Sequence, residues 1–326
     1  MEHTVADEAR DQMPAVGVVI VNHAREDEAV QAVRSALDQD YDGPVVVYFV
    51  YNERDGVERL LDRLPERVVT LPYTLSVDEN PIAVKRNLAL AASTEPFVAF
   101  LDDDDLWSPG KLSAHITCML HHPDAVLCCT GWSIGSDVPA EDSGEPSTRW
   151  LTRRDITLAR SIVTSSALVR GDAARAARFD SRPVWFAVED YDLWLRLAPL
   201  GPFCKLSPAL TVLRPSGDSG SAQDRSAQLL RAASVAAQHL RSDGISRDGT
   251  AALFWFLGCA CLAERGSTPV SFRPLPVRVI LDGGVLGPAD RALASVVSRL
   301  LASSATLRLG RLIPRGLAAY RRCARL

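Results

Sequence analysis

Short runs of β-branched apolar residues alternate with helical patterns through the first half of the chain. Val16–Val21 and Val45–Val50 are continuous apolar runs, which is typical of strands that are buried on both faces of a sheet. Between them, the apolar residues of Glu28–Leu37 recur at helical spacing. Because strands that alternate with helices usually pair in parallel, the sequence predicts an α/β fold with a mostly parallel sheet flanked by helices.

The same alternation extends to about residue 220. It predicts five further strands, at Val68–Leu71, Phe97–Leu101, Ala125–Thr130, Ser161–Val169 and Phe203–Leu213, and three further helices, at Ile82–Ala92, Ser108–Leu120 and Val188–Leu197. From about Asp224 onward the pattern becomes helical and rich in alanine. We therefore expect an α/β domain over residues 1–220 and a helical C-terminal extension over residues 221–326.

The overall charge limits the classes of partner. The chain carries 36 basic and 40 acidic residues, a formal net charge of -4, whereas a dedicated nucleic-acid-binding protein usually has a basic excess. We therefore expect no nucleic-acid partner. The segment Arg291–Leu326 differs, with eight arginines and no acid. It is either a basic amphipathic helix on an anionic membrane surface or a packed helix with its arginines in solvent.

The cysteines and the N-terminus indicate an intracellular setting. Seven cysteines without a CxxC pair predict neither a disulfide framework nor a zinc ribbon, so a reducing compartment is the simplest setting. A zinc site is the lesser alternative, because no second pair with ligand spacing completes it, and a helix end beside a buried strand is favoured. Its candidate ligands are Cys118, His121, His122, Cys128 and Cys129. The N-terminus has no apolar stretch of signal-peptide length. We expect a cytoplasmic protein, with peripheral contact at the inner face of the membrane if the tail binds lipid.

Four adjacent carboxylates, Asp102–Asp105, directly follow the predicted strand FVAFL. Ionised carboxylates repel one another and call for a cation or basic groups nearby. Ligands bind at the carboxyl ends of strands in α/β sheets, and oxygen ligands suit Mg²⁺ or Mn²⁺ better than Zn²⁺. The position favours a divalent-metal site over the alternative of a solvated acidic turn.

Two further charged pairs lie on predicted helices. Glu189 and Asp190 open a helix, where carboxylates favour the helix dipole. A hydroxyl that attacks an electrophile also needs a base distinct from the metal ligands, which favours a catalytic role for this pair. Lys85 and Arg86 lie on the helix that leads into FVAFL. One of them could face a phosphate while the other is solvated, and a wholly solvated helix face is an equal alternative.

These pieces occur in an order that resembles the family 2 glycosyltransferases of GT-A fold, over roughly residues 15–215. The matching motifs, in chain order, are VVIVNHARED, SALDQDYDGP, AVKRNLALAAST, FVAFLDDDDLWSPGKL and VEDYDLWLRLA. Each motif alone is modest. Five in the family's order make a specific match.

The resemblance implies roles for the acids. Asp102 and Asp104 match the DxD acids, which touch the donor ribose and hold a divalent cation on its diphosphate. Asp103, the position between them, is a further candidate donor contact. Asp190 matches the general base, and its neighbour Glu189 orients the acceptor. The implied reaction is a single displacement with inversion at the anomeric carbon. It moves a sugar from a nucleotide-sugar donor to a glycan, lipid-linked or small-molecule acceptor.

The resemblance also implies a nucleotide site. Arg86, with Lys85 beside it, matches the basic residue near the nucleotide. Asn22, His23 and Arg25 belong to the turn that borders the base. These residues are therefore the candidate donor contacts outside the acidic run.

One stretch departs from the family pattern. After its second strand the family carries an acidic stretch whose first acid reads uracil, whereas this chain has the sequence YNERD at residues 51–55. Asn52 could hydrogen-bond a base and Tyr51 could stack on one, and UDP is the default nucleotide from the resemblance alone. Trp185, just before the Glu-Asp pair, is the candidate acceptor contact.

Two other functions stay open at this point. A nucleotidyltransferase also needs acids, a cation and a basic helix, but it usually has a Gly-rich phosphate loop after the first strand, which the sequence NHARED lacks. A catalytically silent nucleotide- or carbohydrate-binding module of the same fold is the third hypothesis. The presence of Asp102, Asp104 and Asp190 argues against it.

Overall fold

The computed structural model describes residues 13–214, with gaps at residue 24 and at residues 75–77, 139–146, 153–154 and 157–161, together with six residues between 228 and 239. The sheet lies within the first of two units, Met1–Gln223. The predicted helical extension over residues 221–326, including the arginine-rich tail, falls almost wholly outside the described residues. The division at residue 220 therefore stays a prediction.

Four parallel strands form one half of the sheet. They are β1 (Val16–Val21), β2 (Val45–Asn52), β3 (Val69–Tyr73) and β4 (Phe97–Asp102), in the spatial order β3-β2-β1-β4. Val21 is in register with Val50 of β2 and with Asp102 of β4. The carboxyl ends of these strands therefore meet at one edge, and the residues that follow them are brought together.

The second half of the sheet is mixed. Its strands are β5 (Leu106–Trp107), β6 (Leu127–Ile134), β7 (Thr148–Leu151), β8 (Ala167–Arg170) and β9 (Phe203–Leu213). β8 runs antiparallel to β4 and β6, and β9 runs parallel to β6 but antiparallel to β5 and β7. The strand predicted over Ser161–Val169 begins only at Ala167, because Thr164–Ser166 forms a 3-10 turn.

Six α-helices are described: α1 (Glu26–Leu37), α2 (Glu58–Leu61), α3 (Pro81–Ala92), α4 (Lys111–His121), α5 (Gly171–Ala177) and α6 (Glu189–Leu197). The start of α3 is fixed by Asn80, whose side chain accepts hydrogen bonds from the N–H groups of Ile82 and Ala83. The predicted start of α4 at Ser108 is wrong. The N–H of Ser108 donates to Leu210 of β9, which continues the pairing of β5 and delays the helix to Lys111.

Helix α4 carries a cation into the core. Lys111 is fully buried, and its Nζ lies 4.0 Å from the centre of the Trp107 ring. Among the described residues Nζ has no hydrogen-bond partner, and neither do the two ring nitrogens of His115 one turn later. Burial lowers the pKa of Lys111 to about 7 and also lowers the pKa of His115. Burial of these two side chains without hydrogen-bond partners therefore lowers the stability of the fold.

Replacing Lys111 by Met is expected to raise the free energy of unfolding at pH 7 by about 2–4 kcal/mol. Lysine has a pKa of 10.5 before burial and about 7 in the fold, so only the unfolded chain is protonated between those values. The penalty is absent above the unfolded pKa and full below the folded one. Denaturant unfolding of both proteins at pH 7 and pH 9 should give the larger difference in the free energy of unfolding at pH 7. A gap that does not change with pH would contradict the burial of this charge.

Candidate active site

The four carboxylates at the end of β4, Asp102–Asp105, form two pairs that face different ways. Asp103 is completely buried and Asp105 nearly so. The side chains of Asp102 and Asp104 remain 34% and 14% exposed. The four residues form a turn, which is closed by a hydrogen bond from the N–H of Asp105 to the carbonyl of Asp102. Only the outer pair, Asp102 and Asp104, therefore keeps carboxylate oxygens towards solvent.

The inner acids are held by polar groups of neighbouring elements. Asp103 accepts hydrogen bonds from the side chain of Asn22 (3.1 Å), the N–H of His23 (2.6 Å) and the guanidinium of Arg25 (3.1 Å). Asp105 accepts one from Ser165 (2.5 Å). Burial raises the pKa of Asp103 to about 7 and that of Asp105 to about 8.

The partners of Asp103 all come from one segment of the chain. Its carboxylate is directed at the turn after β1, where it fixes Asn22, His23 and Arg25 in place. Arg25 also contacts Asp104 at 2.6 Å, so one guanidinium joins an inner and an outer acid. His23 is an exposed residue of the same turn. Donor contacts by these residues stay a prediction.

Arg86 links the acidic run to the second predicted acidic pair. Its buried guanidinium donates to Asp102 (2.7 Å) and to Glu189 (2.8 Å). The adjacent Lys85 points elsewhere and donates to the carbonyl of Asn22. Burial lowers the pKa of Lys85. Both cations of α3 therefore face the carboxyl edge of the sheet, and neither lies on a solvated helix face.

The two acids that begin α6 have different environments. Glu189 is buried and accepts hydrogen bonds from Arg86 and from the side chain of Asn80 (3.3 Å). Burial raises its pKa. Asp190 is half-buried, and one of its carboxylate oxygens accepts a hydrogen bond from the hydroxyl of Thr164 (2.8 Å). Glu189 is thus enclosed by its hydrogen-bond partners, whereas the carboxylate of Asp190 is held in one orientation and stays partly exposed.

Two residues that the sequence predicts to contact the substrates, Asn52 and Trp185, form hydrogen bonds with residues nearby in the chain. The side chain of Asn52 accepts a hydrogen bond from the N–H of Arg54 and donates one to Asp55, so both ends of its amide serve the turn after β2. Trp185 is buried, and its indole N–H donates to Asp180 at 2.8 Å. The roles proposed for Asn52 with the base and for Trp185 with the acceptor stay predictions.

Three residues at this site were not identified from the sequence. Thr164 and Ser165 come from the 3-10 turn before β8, and they hold Asp190 and Asp105 respectively. Arg214, directly after β9, donates from its side chain to the carbonyl of Asp104 and from its backbone to Asp105. A run of three small hydroxyl residues before an apolar strand was the signal for the turn. Arg214 had none.

Sequence comparison decides the family. A sequence model described as glycosyl transferase family 2 matches residues 17–181, half of the chain. The chain belongs to this family. The matched segment contains Arg86 and the four acids at the end of β4, whereas Glu189 and Asp190 lie beyond its end. The family predicted from the motifs is therefore confirmed, and the role of Asp190 as general base stays a prediction.

Curated relatives of this family 2 chain share part of their length with it. A Bacillus subtilis (strain 168) protein named as the teichuronic acid biosynthesis glycosyltransferase TuaG is 30% identical over 125 residues, 37% of this chain and 48% of the relative. An Escherichia coli K12 protein named as the colanic acid biosynthesis glycosyl transferase WcaA is 23% identical over 190 residues, 56% of this chain and 66% of the relative. The chain spans about half to two thirds of the length of these relatives.

Solved structures support the fold. Staphylococcus aureus TarS 1-349 in complex with UDP-GlcNAc aligns with a TM-score of 0.51 at 13% identity, covering 76% of this chain and 81% of TarS. The mannosyltransferase PcManGT from Pyrobaculum calidifontis, in complex with GDP-Man and Mn²⁺, aligns with a TM-score of 0.50 at 17% identity, covering 89% and 85%. The α/β fold of GT-A type is confirmed. Over the described residues, no helix has both the length and the apolarity needed to span a membrane.

Proposed function

We propose that this family 2 chain is an inverting glycosyltransferase, which moves a sugar from a nucleoside diphosphate donor to an acceptor hydroxyl. The observation that carries the proposal is the bridge formed by Arg86. Its guanidinium contacts Asp102, an acid of the donor side, and Glu189, the neighbour of the accessible Asp190. One buried cation thereby joins a donor-side acid to the first residue of the helix that carries the candidate base. Such a connected arrangement suits a single displacement, in which both must act on one anomeric carbon.

The donor set fits a divalent cation. Asp102 and Asp104 present carboxylate oxygens at the exposed edge, and these are ligands that Mg²⁺ and Mn²⁺ prefer. The guanidinium of Arg25, 2.6 Å from Asp104, already lies beside this acid as a positive charge. The structural neighbour PcManGT was solved with Mn²⁺. When bound, such a cation would offset the charge that develops on the departing diphosphate.

The chain's own residues supply the proton transfer and the orientation. Asp190 accepts the proton of the attacking hydroxyl, and the bond from Thr164 fixes the direction of its carboxylate. Glu189 stays buried against Arg86 and Asn80, so it positions the helix rather than exchanging protons with solvent. Lys85 and Arg86 add positive charge at the edge where the diphosphate would lie.

The donor and the acceptor are proposed by chemical class. The structural neighbours were solved with UDP-GlcNAc and with GDP-Man, so the fold accommodates more than one base, and UDP stays our first choice from the resemblance. Relatives named for teichuronic acid and colanic acid biosynthesis favour a carbohydrate acceptor in polysaccharide assembly. An acceptor that is lipid-linked fits the same chemistry. Contact of the arginine-rich tail with a membrane stays a prediction from the sequence.

The stereochemistry of donor hydrolysis tests the proposed reaction. The full chain is incubated with Mn²⁺ and a panel of α-linked sugar nucleotides, and proton NMR follows the first anomer released. A single displacement by water should give the β anomer before mutarotation. Initial release of the α anomer would contradict the inverting mechanism.

Replacing Thr164 by Val is expected to lower kcat by about 10-fold, because a hydrogen bond to a charged group is lost at nearly constant volume. The KM for the donor should change little, since Thr164 contacts Asp190, the proposed general base, and not the donor acids. Steady-state kinetics measure both constants. Ser166→Ala is the matched control, because this hydroxyl of the same turn donates only to the carbonyl of Val163 among the described contacts. Equal losses in the two variants would contradict the positioning role.

A further inference from the structure

Three cysteine side chains from three elements meet in the hydrophobic core. They are Cys118 of α4, Cys128 of β6 and Cys204 of β9, and their Sγ atoms all lie within 4.8 Å of one another. The Sγ atoms of Cys118 and Cys204 are 3.0 Å apart. Cys128 and Cys204 are register partners on neighbouring parallel strands. None of the three takes part in the proposed transfer reaction.

This thiol cluster differs from the zinc set considered from the sequence. Cys129, the neighbour of Cys128 along the strand, is not a member, and His121 is exposed and hydrogen-bonded to the carbonyl of Thr117. Cys204 takes their place, although it is 86 residues from Cys118 in the chain. Spacing along the sequence gives no indication of such a contact.

The surroundings of the cluster favour a neutral product over a metal complex. Thiols bind soft cations as thiolates, and three thiolates around one monovalent or divalent cation would leave negative charge inside an apolar core. A tetrahedral zinc site also needs a fourth donor. In the part of the chain that the structure describes, no other His, Cys, Asp or Glu joins the three thiols. A disulfide carries no charge and needs only two of them.

We propose that Cys118 is an oxidisable thiol that forms a disulfide with Cys204, and so joins α4 to β9, when hydrogen peroxide reaches it. The Cys118 thiolate attacks a peroxide oxygen, the O–O bond breaks, and hydroxide leaves to become water. The resulting sulfenic acid is attacked by the Cys204 sulfur as its thiol loses a proton. The S–S bond forms, the S–O bond breaks, and a second water leaves. Two thiols are oxidised and one peroxide is reduced.

Cys118 is the member best suited to react first. Its residue is 7% exposed, whereas Cys128 and Cys204 are completely buried. Hydrogen bonds from the thiols of Cys128 and Cys204 lower the pKa of Cys118. The same interactions raise the pKa of both neighbours, so they stay protonated donors. A disulfide bond of about 2.05 Å then requires the 3.0 Å contact to close by only about 1 Å.

The disulfide would stabilise the fold measurably. It would connect residues that are 86 positions apart, and a link that closes a long loop removes much of the entropy of the unfolded chain. We expect the melting temperature of the oxidised protein to exceed that of the reduced protein by about 5–10 °C. The rise should disappear on treatment with dithiothreitol.

Peptide mapping of the full chain tests the proposal. The reduced protein is treated with hydrogen peroxide, its remaining thiols are blocked with N-ethylmaleimide, and a non-reducing digest is analysed by mass spectrometry. We expect a cross-linked peptide that joins Cys118 to Cys204, together with the rise in melting temperature. Cys129→Ser is the matched control, since it removes an adjacent buried thiol outside the cluster and should leave the cross-link unchanged.

A second variant identifies the order of the two steps. Cys204→Ser should abolish the cross-link and leave a sulfenic acid on Cys118 that dimedone traps. If this variant fails to fold, the map of the unmodified chain decides alone. Recovery of Cys118 and Cys204 as blocked free thiols after peroxide treatment would overturn the proposal. So would a cross-link from Cys118 to Cys128, or a stoichiometric metal ion that co-purifies with the three thiols.

Discussion

Replacing Asp190 by Asn is expected to reduce kcat by at least about 100-fold while the donor affinity changes by less than about threefold. Asparagine has nearly the same shape and can still accept the hydrogen bond from Thr164, but it cannot take a proton from the acceptor. The residue is half-buried at the first turn of α6, so the substitution should not disturb the core. Turnover and donor binding by calorimetry measure the two effects separately.

Asp172→Asn is the matched control for this substitution. Asp172 is also the second residue of a helix, α5, but it is exposed and accepts a hydrogen bond only from the N–H of Ala173 among the described contacts. It should keep normal turnover. Normal turnover in Asp190→Asn would refute the base assignment, whereas equal loss of activity in both variants would point to a general effect of lost negative charge.

Replacing Arg86 by Met is expected to lower the free energy of unfolding by about 3–5 kcal/mol, because it leaves Glu189 buried without its cation. Arg86 and Glu189 have side chains that are 5% and 4% exposed, and the contact is 2.8 Å. Adding Glu189→Gln to the variant should recover part of the loss, because the uncompensated charge is then removed. Denaturant unfolding of the single and double variants measures both terms without requiring an activity assay.

An exposed ion pair provides the comparison for Arg86. Arg63 contacts Asp27 at 2.8 Å, but the two side chains are 44% and 77% exposed, and such surface pairs contribute about 0–1 kcal/mol. Arg63→Met should therefore cost much less than Arg86→Met. A cost below about 1 kcal/mol for Arg86→Met would contradict the structural importance of this bridge.

The sequence predicted the elements whose residues have a strong periodic pattern. The parallel strands β1, β2 and β4 are continuous apolar runs, and each lies within about two residues of the predicted bounds. Lys85 and Arg86 were placed on the correct helix, but their directions were open. The structure directs both towards the carboxyl edge, because Asn22, Asp102 and Glu189 attract them there.

The contacts that the sequence could not predict depend on residues far apart in the chain. Four identical acids at the end of β4 give no indication of which two face inward. That division follows from Asn22, Arg25 and Ser165, which come from separate elements and hold Asp103 and Asp105. The run of hydroxyl residues at Thr164–Ser166 indicates a turn, but nothing in it shows that Thr164 and Ser165 hold Asp190 and Asp105. Tertiary packing gives these residues their roles.

The most direct test of the proposed function is the release of nucleoside diphosphate from a panel of sugar nucleotides by the full chain, with Mn²⁺ or Mg²⁺ and with EDTA. We predict metal-dependent release from at least one donor and a large loss of that release in Asp104→Asn, with the fold unchanged by circular dichroism. Because release of the nucleoside diphosphate requires cleavage of the sugar–phosphate bond, donor binding alone cannot produce it. Cleavage that yields a nucleoside monophosphate would instead indicate different phosphate chemistry. Absence of turnover with every donor, or release that EDTA leaves unchanged, would contradict the account.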